Sequence, residues 1–196
     1  MKIKLKVFLL LVFIYSNLFG TGAYDQGRSA GKGNLDISIT WNPFYYFDQG
    51  QSYVVLGYGL NDKVDIHGYY SHLKDNNDNY YGGILYQFYK TERLDISTAF
   101  GIRKYTKKKT THFFIPQLLY TIKLSEKINF GGNFVDIRNK NLKFSEGVAT
   151  DLFFSYKFYE SEKHEINLSV GAFKPVLWKP EYGNWYPTYS LDIKIK

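Results

Sequence analysis

The chain has 196 residues, the size of one domain, and it contains no cysteine. Aromatic residues make up 19%, which favours β-strands because their side chains fit a pleated surface. A mean hydropathy of -0.33 excludes a bundle of membrane-spanning helices. It is compatible with a membrane barrel, in which only alternate residues meet lipid. The net charge of +7 includes three lysines within the first six residues, and the remaining surplus is too small to indicate nucleic-acid binding.

Residues 1–23 have the features of a secretory signal peptide. Three lysines precede an apolar run over 7–15, and Ala23 closes a stretch of small residues where cleavage is expected. The apolar run is too short for a spanning helix. Exported small domains commonly depend on disulfides, so a chain without cysteine needs another source of stability. A barrel closed within a membrane would supply it.

Residues 24–33 form a lead-in that contains the run GRSAGKG. The run contains Gly and Lys but departs from the phosphate-loop pattern, and no helix is predicted after it. We expect a flexible lead-in, with the second possibility that it enters or plugs the lumen of the domain that follows, 34–196.

A short phrase recurs five times in that domain: a polar residue, an aliphatic residue, Asp or Asn, and another apolar residue. Its aliphatic positions are spaced by 29, 30, 34 and 38 residues and are Leu35, Val64, Leu94, Ile128 and Ile166. Such intervals fit an up-strand, a loop, a down-strand and a turn, at about 10 residues per strand. Side chains alternate within each phrase, which is the signature of a strand. The phrase therefore marks the start of every up-strand.

The stretch before each later phrase also alternates, and a final alternating stretch closes the chain, so we expect ten antiparallel strands. Short charged turns are predicted on one side, at 61–63, 90–92, 125–127 and 160–163. Longer loops are predicted on the other, at 43–50, 74–79, 106–110, 139–147 and 176–185. Outer-membrane barrels have this asymmetry, with the short turns in the periplasm.

The pattern over 34–196 resembles the small bacterial outer-membrane β-barrel proteins. The resemblance implies an all-β, up-and-down antiparallel transmembrane barrel of about ten strands in a Gram-negative outer membrane. A soluble exported barrel that binds an apolar ligand is the alternative, with its apolar face turned inwards. Aromatic residues near strand ends, such as Trp41 and Trp185, favour the membrane barrel because such rings sit well at the lipid headgroups.

Two positions depart from the usual pattern of such barrels. Pro116 lies inside the predicted sixth strand, where it cannot donate to the ladder, and we expect a bulge there. The chain ends in Lys196, whereas many outer-membrane barrels end on an aromatic residue.

The sequence carries no recognisable catalytic or metal-binding pattern. The four histidines, at 67, 72, 112 and 164, are dispersed, and cysteine is absent. Ser71 and His72 are adjacent in a strand, so their side chains point to opposite faces and cannot act together. We expect no enzyme, no cofactor and no metal.

One loop is strongly basic. Lys107, Lys108 and Lys109 lie in a predicted outer loop, where they would face the phosphates of lipopolysaccharide. The alternative is a loop that is only solvated. The expected partners are therefore outer-membrane lipid and lipopolysaccharide, with a small solute or an apolar ligand as further possibilities and no nucleic acid.

If the aliphatic residues face lipid, charged residues line the lumen near its periplasmic end. Across so narrow a space we expect the acids and lysines to pair, since an unpaired buried charge is costly. Such pairing predicts a closed lumen with a structural or surface-interaction role, and a narrow porin-like channel for small solutes is the alternative. The predicted inward charges are Asp36, Asp65, Asp95, Lys123, Lys157 and Lys194, and the predicted inward apolar residues above them are Leu85, Ile115, Leu119 and Phe153.

Overall fold

A computed structural model describes residues 26–41, 53–71, 78–107, 111–139, 141, 144–174, 177 and 185–196. The predicted signal peptide, His72, Lys108 and Lys109 lie outside the described residues. The described ranges contain ten strands: β1 (Leu35–Trp41), β2 (Tyr53–Gly59), β3 (Val64–Ser71), β4 (Asn79–Lys90), β5 (Leu94–Tyr105), β6 (Thr111–Lys123), β7 (Ile128–Arg138), β8 (Phe144–Glu160), β9 (His164–Lys174) and β10 (Tyr186–Ile195).

The strands form one closed antiparallel barrel in which each strand pairs with its neighbours in the chain. Closure is made by β1 and β10, with Leu35 opposite Ile195 and Trp41 opposite Tyr189. The prediction of ten up-and-down strands is confirmed. The largest boundary difference is at β8, which begins at Phe144, inside the loop predicted over 139–147. Its first residue pairs with Arg138 beyond a register shift, which extends the β7–β8 hairpin.

The outer face of the barrel wall is apolar, and the inner face carries many buried polar side chains among apolar ones. Large apolar side chains on the outer face are about half exposed, including Ile66 at 52% and Phe100 at 51%. Inward-facing Ser97 and Thr188 are fully buried. A soluble barrel would have the opposite arrangement, so the soluble alternative is wrong. An apolar outer surface of this kind suits contact with lipid, and the chain is an outer-membrane β-barrel. Among the described residues, no helix is long and apolar enough to cross a membrane.

The bulge predicted at Pro116 is present in β6. The pairing register shifts between Phe114 and Gln117, so two successive residues, Ile115 and Pro116, both face outwards. The prediction that Ile115 faces the lumen is therefore wrong: its side chain is 40% exposed. Beyond the bulge the alternation resumes, with Leu119 buried as predicted. An extra residue in one strand reverses the facing of the residues before it, and a strict period of two cannot anticipate this.

Candidate functional site: the lumen and its N-terminal strap

Residues 26–33, named here the strap, turn from the start of β1 into the lumen at the end of the barrel that carries the short turns. The Gly33 amide donates to the Gly59 carbonyl at 2.8 Å, and the Gly59 amide donates to the Asn34 carbonyl at 3.0 Å. Gly31 and Gly33 have φ of +84° and +77°, a region that favours glycine. These two residues let the chain leave the wall and cross the lumen, in agreement with the second possibility for the lead-in.

The middle of the strap is bound by side chains of β3 and β4. The Ala30 amide donates to Asp65 Oδ2 at 2.8 Å, and Ser29 Oγ donates to Asp65 Oδ1 at 2.6 Å. The Ser29 amide donates to Gln87 Oε1 at 3.0 Å. Asp65 is 5% exposed and Gln87 is 3% exposed. Asp65 therefore serves as an acceptor for the strap.

The beginning of the strap lies against β5 and β6. The Gly27 amide donates to Thr121 Oγ1 at 2.9 Å, and Ser97 Oγ donates to the Gly27 carbonyl at 2.8 Å. A Cβ added to Gly27 would stand 2.5 Å from the Tyr120 Cα and 2.7 Å from the Asp95 carbonyl oxygen. Only glycine allows so close an approach of two backbones.

Arg28 forms an ion pair between the strap and the wall. Its Nη2 lies 2.8 Å from Glu165 Oε1 on β9, and the Asn167 amide group donates to the same oxygen at 3.0 Å. Burial lowers the pKa of Arg28, but attraction to Glu165 and Asp36 outweighs it, and the pKa stands above its ordinary value. The pair tethers the strap to β9, whereas the neighbouring Ser29 is bonded to Asp65 on β3.

The six predicted lumen charges all line this end of the barrel, but they pair only partly as expected. Lys123 Nζ lies 3.1 Å from the buried Asp95 Oδ2, and Asp36 stands opposite Lys194 in the β1–β10 register. Asp65 binds the strap. Lys157 Nζ lies 2.7 Å from Glu160 Oε2 and 4.0 Å from Glu165 Oε2.

Two charged partners were missed by sequence reasoning. Arg28 and Glu165 do not follow the repeated phrase at its Asp or Asn position: Glu165 is the opening polar residue of the fifth phrase, and Arg28 precedes the first. The strap crosses the part of the lumen where we expected the acids and lysines alone to pair. The signal available in the sequence was the Gly-rich composition of the lead-in, which permits close backbone contact.

The lumen above the strap is filled by two kinds of side chain. Leu85, Ala99 and Leu119 form a buried apolar cluster. On the opposite wall, Asp192 accepts hydrogen bonds from serine hydroxyls of three adjacent strands, namely Ser38, Ser169 and Ser190. A cavity of about 50 Å³ lies between these groups and the strap. One water needs roughly 10–15 Å³ of such space, so this cavity has room for only a few waters.

An aromatic layer lies further towards the long-loop end. The rings of Tyr69 and Phe114 each stack on Tyr81 with centroids 5.2 Å apart, and Tyr53 packs edge-on against Tyr69. The Tyr81 hydroxyl accepts from Gln117 Nε2 at 2.7 Å and lies 3.0 Å from His67 Nε2. Buried Val55, Val135, Ile137 and Ala149 complete this layer.

Arg103 lies above the aromatic layer, towards the long loops. The Arg103 guanidinium carbon lies 4.8 Å from the Phe114 ring centroid, and Arg103 Nη2 lies 2.9 Å from His112 Nδ1. Of the three predicted lipopolysaccharide contacts, Lys107 is exposed after the end of β5. Within the described part of the chain, no three His, Asp or Glu side chains are grouped as metal ligands.

No protein-family model matches the chain, and no curated protein matches it. Solved structures with a similar chain path include a KdgM porin, with a TM-score of 0.45 and 7% identity over 83% of this chain and 98% of that chain. A NanC porin has a TM-score of 0.44 and 10% identity, covering 83% and 99% respectively. The N-terminal β-barrel domain of Pseudomonas aeruginosa OprF has a TM-score of 0.33 and 12% identity, covering 84% and 98%. The roles of the strap and lumen residues follow from this chain's own geometry.

Proposed function

We propose that this outer-membrane barrel has a closed, non-conducting lumen and serves a structural or surface-interaction role without catalysis. The observation that carries the proposal is the filling of the lumen at three successive levels. The strap crosses the periplasmic end, the Leu85 cluster lies above it, and the Tyr81 layer lies above that. Barrels of eight strands have interiors just filled by side chains, and ten strands lie close to that limit.

Charge pairing supports the same proposal. A cation-selective pore would present an unbroken ring of acids to the passing ion. Here Asp95 is neutralised by Lys123, and Glu165 is neutralised by Arg28. Each of these carboxylates is therefore engaged within the protein and is not free to coordinate a solute in transit.

Planar-bilayer recording of the purified, refolded barrel tests the proposal. We expect little or no steady conductance from the unmodified chain. The control is a variant with Tyr81→Ala and Leu119→Ala, which removes side chains from two filling levels and should admit brief openings. Large, stable, ion-selective steps from the unmodified chain would instead establish a channel.

A narrow channel for small solutes is the second candidate, and one observation favours it. The wall around Asp192 carries hydroxyls from adjacent strands, and the small cavity lies beside it. Buried hydroxyls on Ser155 and Thr188 have no partner among the described residues, which fits a hydrated wall. The same recording decides between the two functions.

We further propose that the basic loop contacts lipopolysaccharide phosphates. Support comes from the exposure of Lys107 at the long-loop end of β5 and from the two lysines that follow it in sequence. A lysine binds phosphate as a point charge and needs no shaped pocket. Replacing all three with Gln should weaken lipopolysaccharide association at low salt, and the difference should shrink at high salt because of screening. Equal association at low salt would contradict this contact.

A further inference from the structure

The strap is bound in the way that a protein binds an extended peptide. Three of its backbone amides, on Gly27, Ser29 and Ala30, and one of its carbonyls are engaged by wall side chains. The wall groups come from four successive strands and are Asp65, Gln87, Ser97 and Thr121. The backbone of the wall is already paired in the strand ladders, so these side chains are available to the backbone of the strap. These four hydrogen bonds fix the position of the strap backbone along the wall.

Two strap side chains add sequence selectivity to this backbone recognition. Arg28 reaches Glu165, whose carboxylate is further fixed by Asn167. Ser29 Oγ donates to Asp65. The nearest other cation to Glu165 is Lys157, whose Nζ is 4.0 Å away. Without Arg28, the buried Glu165 carboxylate would lose its close positive partner. Binding of a ligand that brings another cation to Glu165 would therefore be favoured.

Close packing restricts the peptide further. The Cα of Gly27 faces the backbone of Tyr120 too closely for a side chain, and Ala30 is buried, with 1% of its surface exposed. A matching ligand has glycine before the arginine and a small residue after the serine.

We propose that the periplasmic mouth of this barrel is a binding site for a short basic peptide of the type Gly-Arg-Ser-Ala, and that the chain's own strap occupies the site as an intramolecular competitor. Since the strap is covalently linked to β1, its effective concentration is high and it outcompetes free peptide. A basic segment presented from the periplasm gains access only when the strap is weakened or displaced.

The first test uses a fluorescein-labelled peptide with the sequence of residues 27–32, GRSAGK, and the detergent-folded barrel. The strap-deleted variant, which lacks residues 26–30, should bind it saturably in an anisotropy titration at low salt. Glu165→Gln in that background should weaken binding at least tenfold, and so should a peptide with Glu in place of Arg. Intact barrel should bind at least tenfold more weakly than the deleted form. Equal binding to intact and deleted barrels, or no effect of Glu165→Gln, would overturn the proposal.

The second test keeps the full chain and applies if the deleted variant does not fold. The chain has no cysteine, so Ser97→Cys introduces a single thiol beneath Gly27. Its reaction with a charged methanethiosulfonate reagent should be slow, and Arg28→Ala should accelerate it at least tenfold. Excess GRSAGK peptide should restore protection in the Arg28→Ala variant, whereas the Glu-containing peptide should not. Equal rates with and without Arg28→Ala, or no protection by peptide, would refute it. Conductance is not measured in either test, so both are independent of the proposed closed lumen.

Discussion

Arg28 and Glu165 are 137 positions apart in the chain, and their side chains meet inside the barrel at 2.8 Å. The pair joins the segment before the first strand to the ninth strand. Together with the hydrogen bonds to Asp65 on the opposite side, it holds the strap across the short-turn end of the lumen. Neither residue touches lipid, and neither belongs to the set of charges that the repeated phrase indicates.

The orientation of the wall predicts a depth-dependent cost for charge on its outer face. Ile84 lies in the middle of β4 and is 42% exposed. Ile84→Lys should destabilise the folded barrel by about 2–4 kcal/mol, because it places a cation near the bilayer midplane. Leu60→Lys is the matched control: Leu60 is 47% exposed but lies in the short turn after β2, where the cost is about 0–1 kcal/mol. Urea unfolding from lipid vesicles measures both, and equal losses would contradict the assigned membrane depth.

The ion pair between Asp95 and Lys123 should contribute measurably to stability. Asp95 is 1% exposed and also accepts from Gln87 Nε2 at 3.2 Å. Lys123→Met should cost about 1–3 kcal/mol, because it leaves a buried carboxylate short of a charged partner. Lys104→Met, on the exposed face of β5, should change the free energy of unfolding by less than about 0.5 kcal/mol. If Asp95→Asn fails to regain part of the loss in the Lys123→Met background, the charge interaction is not the cause.

Glycine at 132 should be required by the packing of the outer wall. A Cβ there would stand 2.3 Å from the Asp151 carbonyl oxygen and 2.7 Å from Tyr120 Oη. Gly132→Ala should therefore destabilise the barrel by about 1–3 kcal/mol through overpacking. Gly82→Ala is the control, since nothing lies within 4 Å of an added Cβ at that position. Denaturant midpoints compare the two, and similar midpoints would count against the close contact at Gly132.

The Tyr81 hydroxyl should matter more than its neighbour's in the same strand. Tyr81→Phe removes the partner of both Gln117 and His67 inside the lumen and should cost about 1–3 kcal/mol. Tyr80 faces outwards and is 44% exposed, so Tyr80→Phe should have little effect. The apolar ring stays in both variants, which isolates the hydroxyl. A thermal or urea midpoint that falls equally in both would show that the buried hydrogen bonds are not responsible.

The strand architecture could be predicted from the chain because alternation is a local property. The phrases beginning at Asn34 and Lys63 specify which residues share a face, and the interval between them specifies a hairpin. The bulge could be predicted from Pro116, since a residue without an N–H cannot continue a ladder of hydrogen bonds. The same local reasoning failed at Ile115 because one extra residue in the bulge changes the face of the residues beside it.

The partners inside the lumen were decided by the tertiary structure alone. Each strand specifies that Asp65, Asp95 and Lys123 point inwards, but closure and register determine which of them come within hydrogen-bond distance. The path of the strap is not periodic, so no pattern in the sequence places Arg28 beside Glu165. That contact depends on two glycines with positive φ that turn the chain into the lumen and on the position of β9 across from them. The face of the wall to which a side chain points follows from the local geometry of its strand. Which side chains become partners inside the lumen follows from closure of the barrel and the strand register.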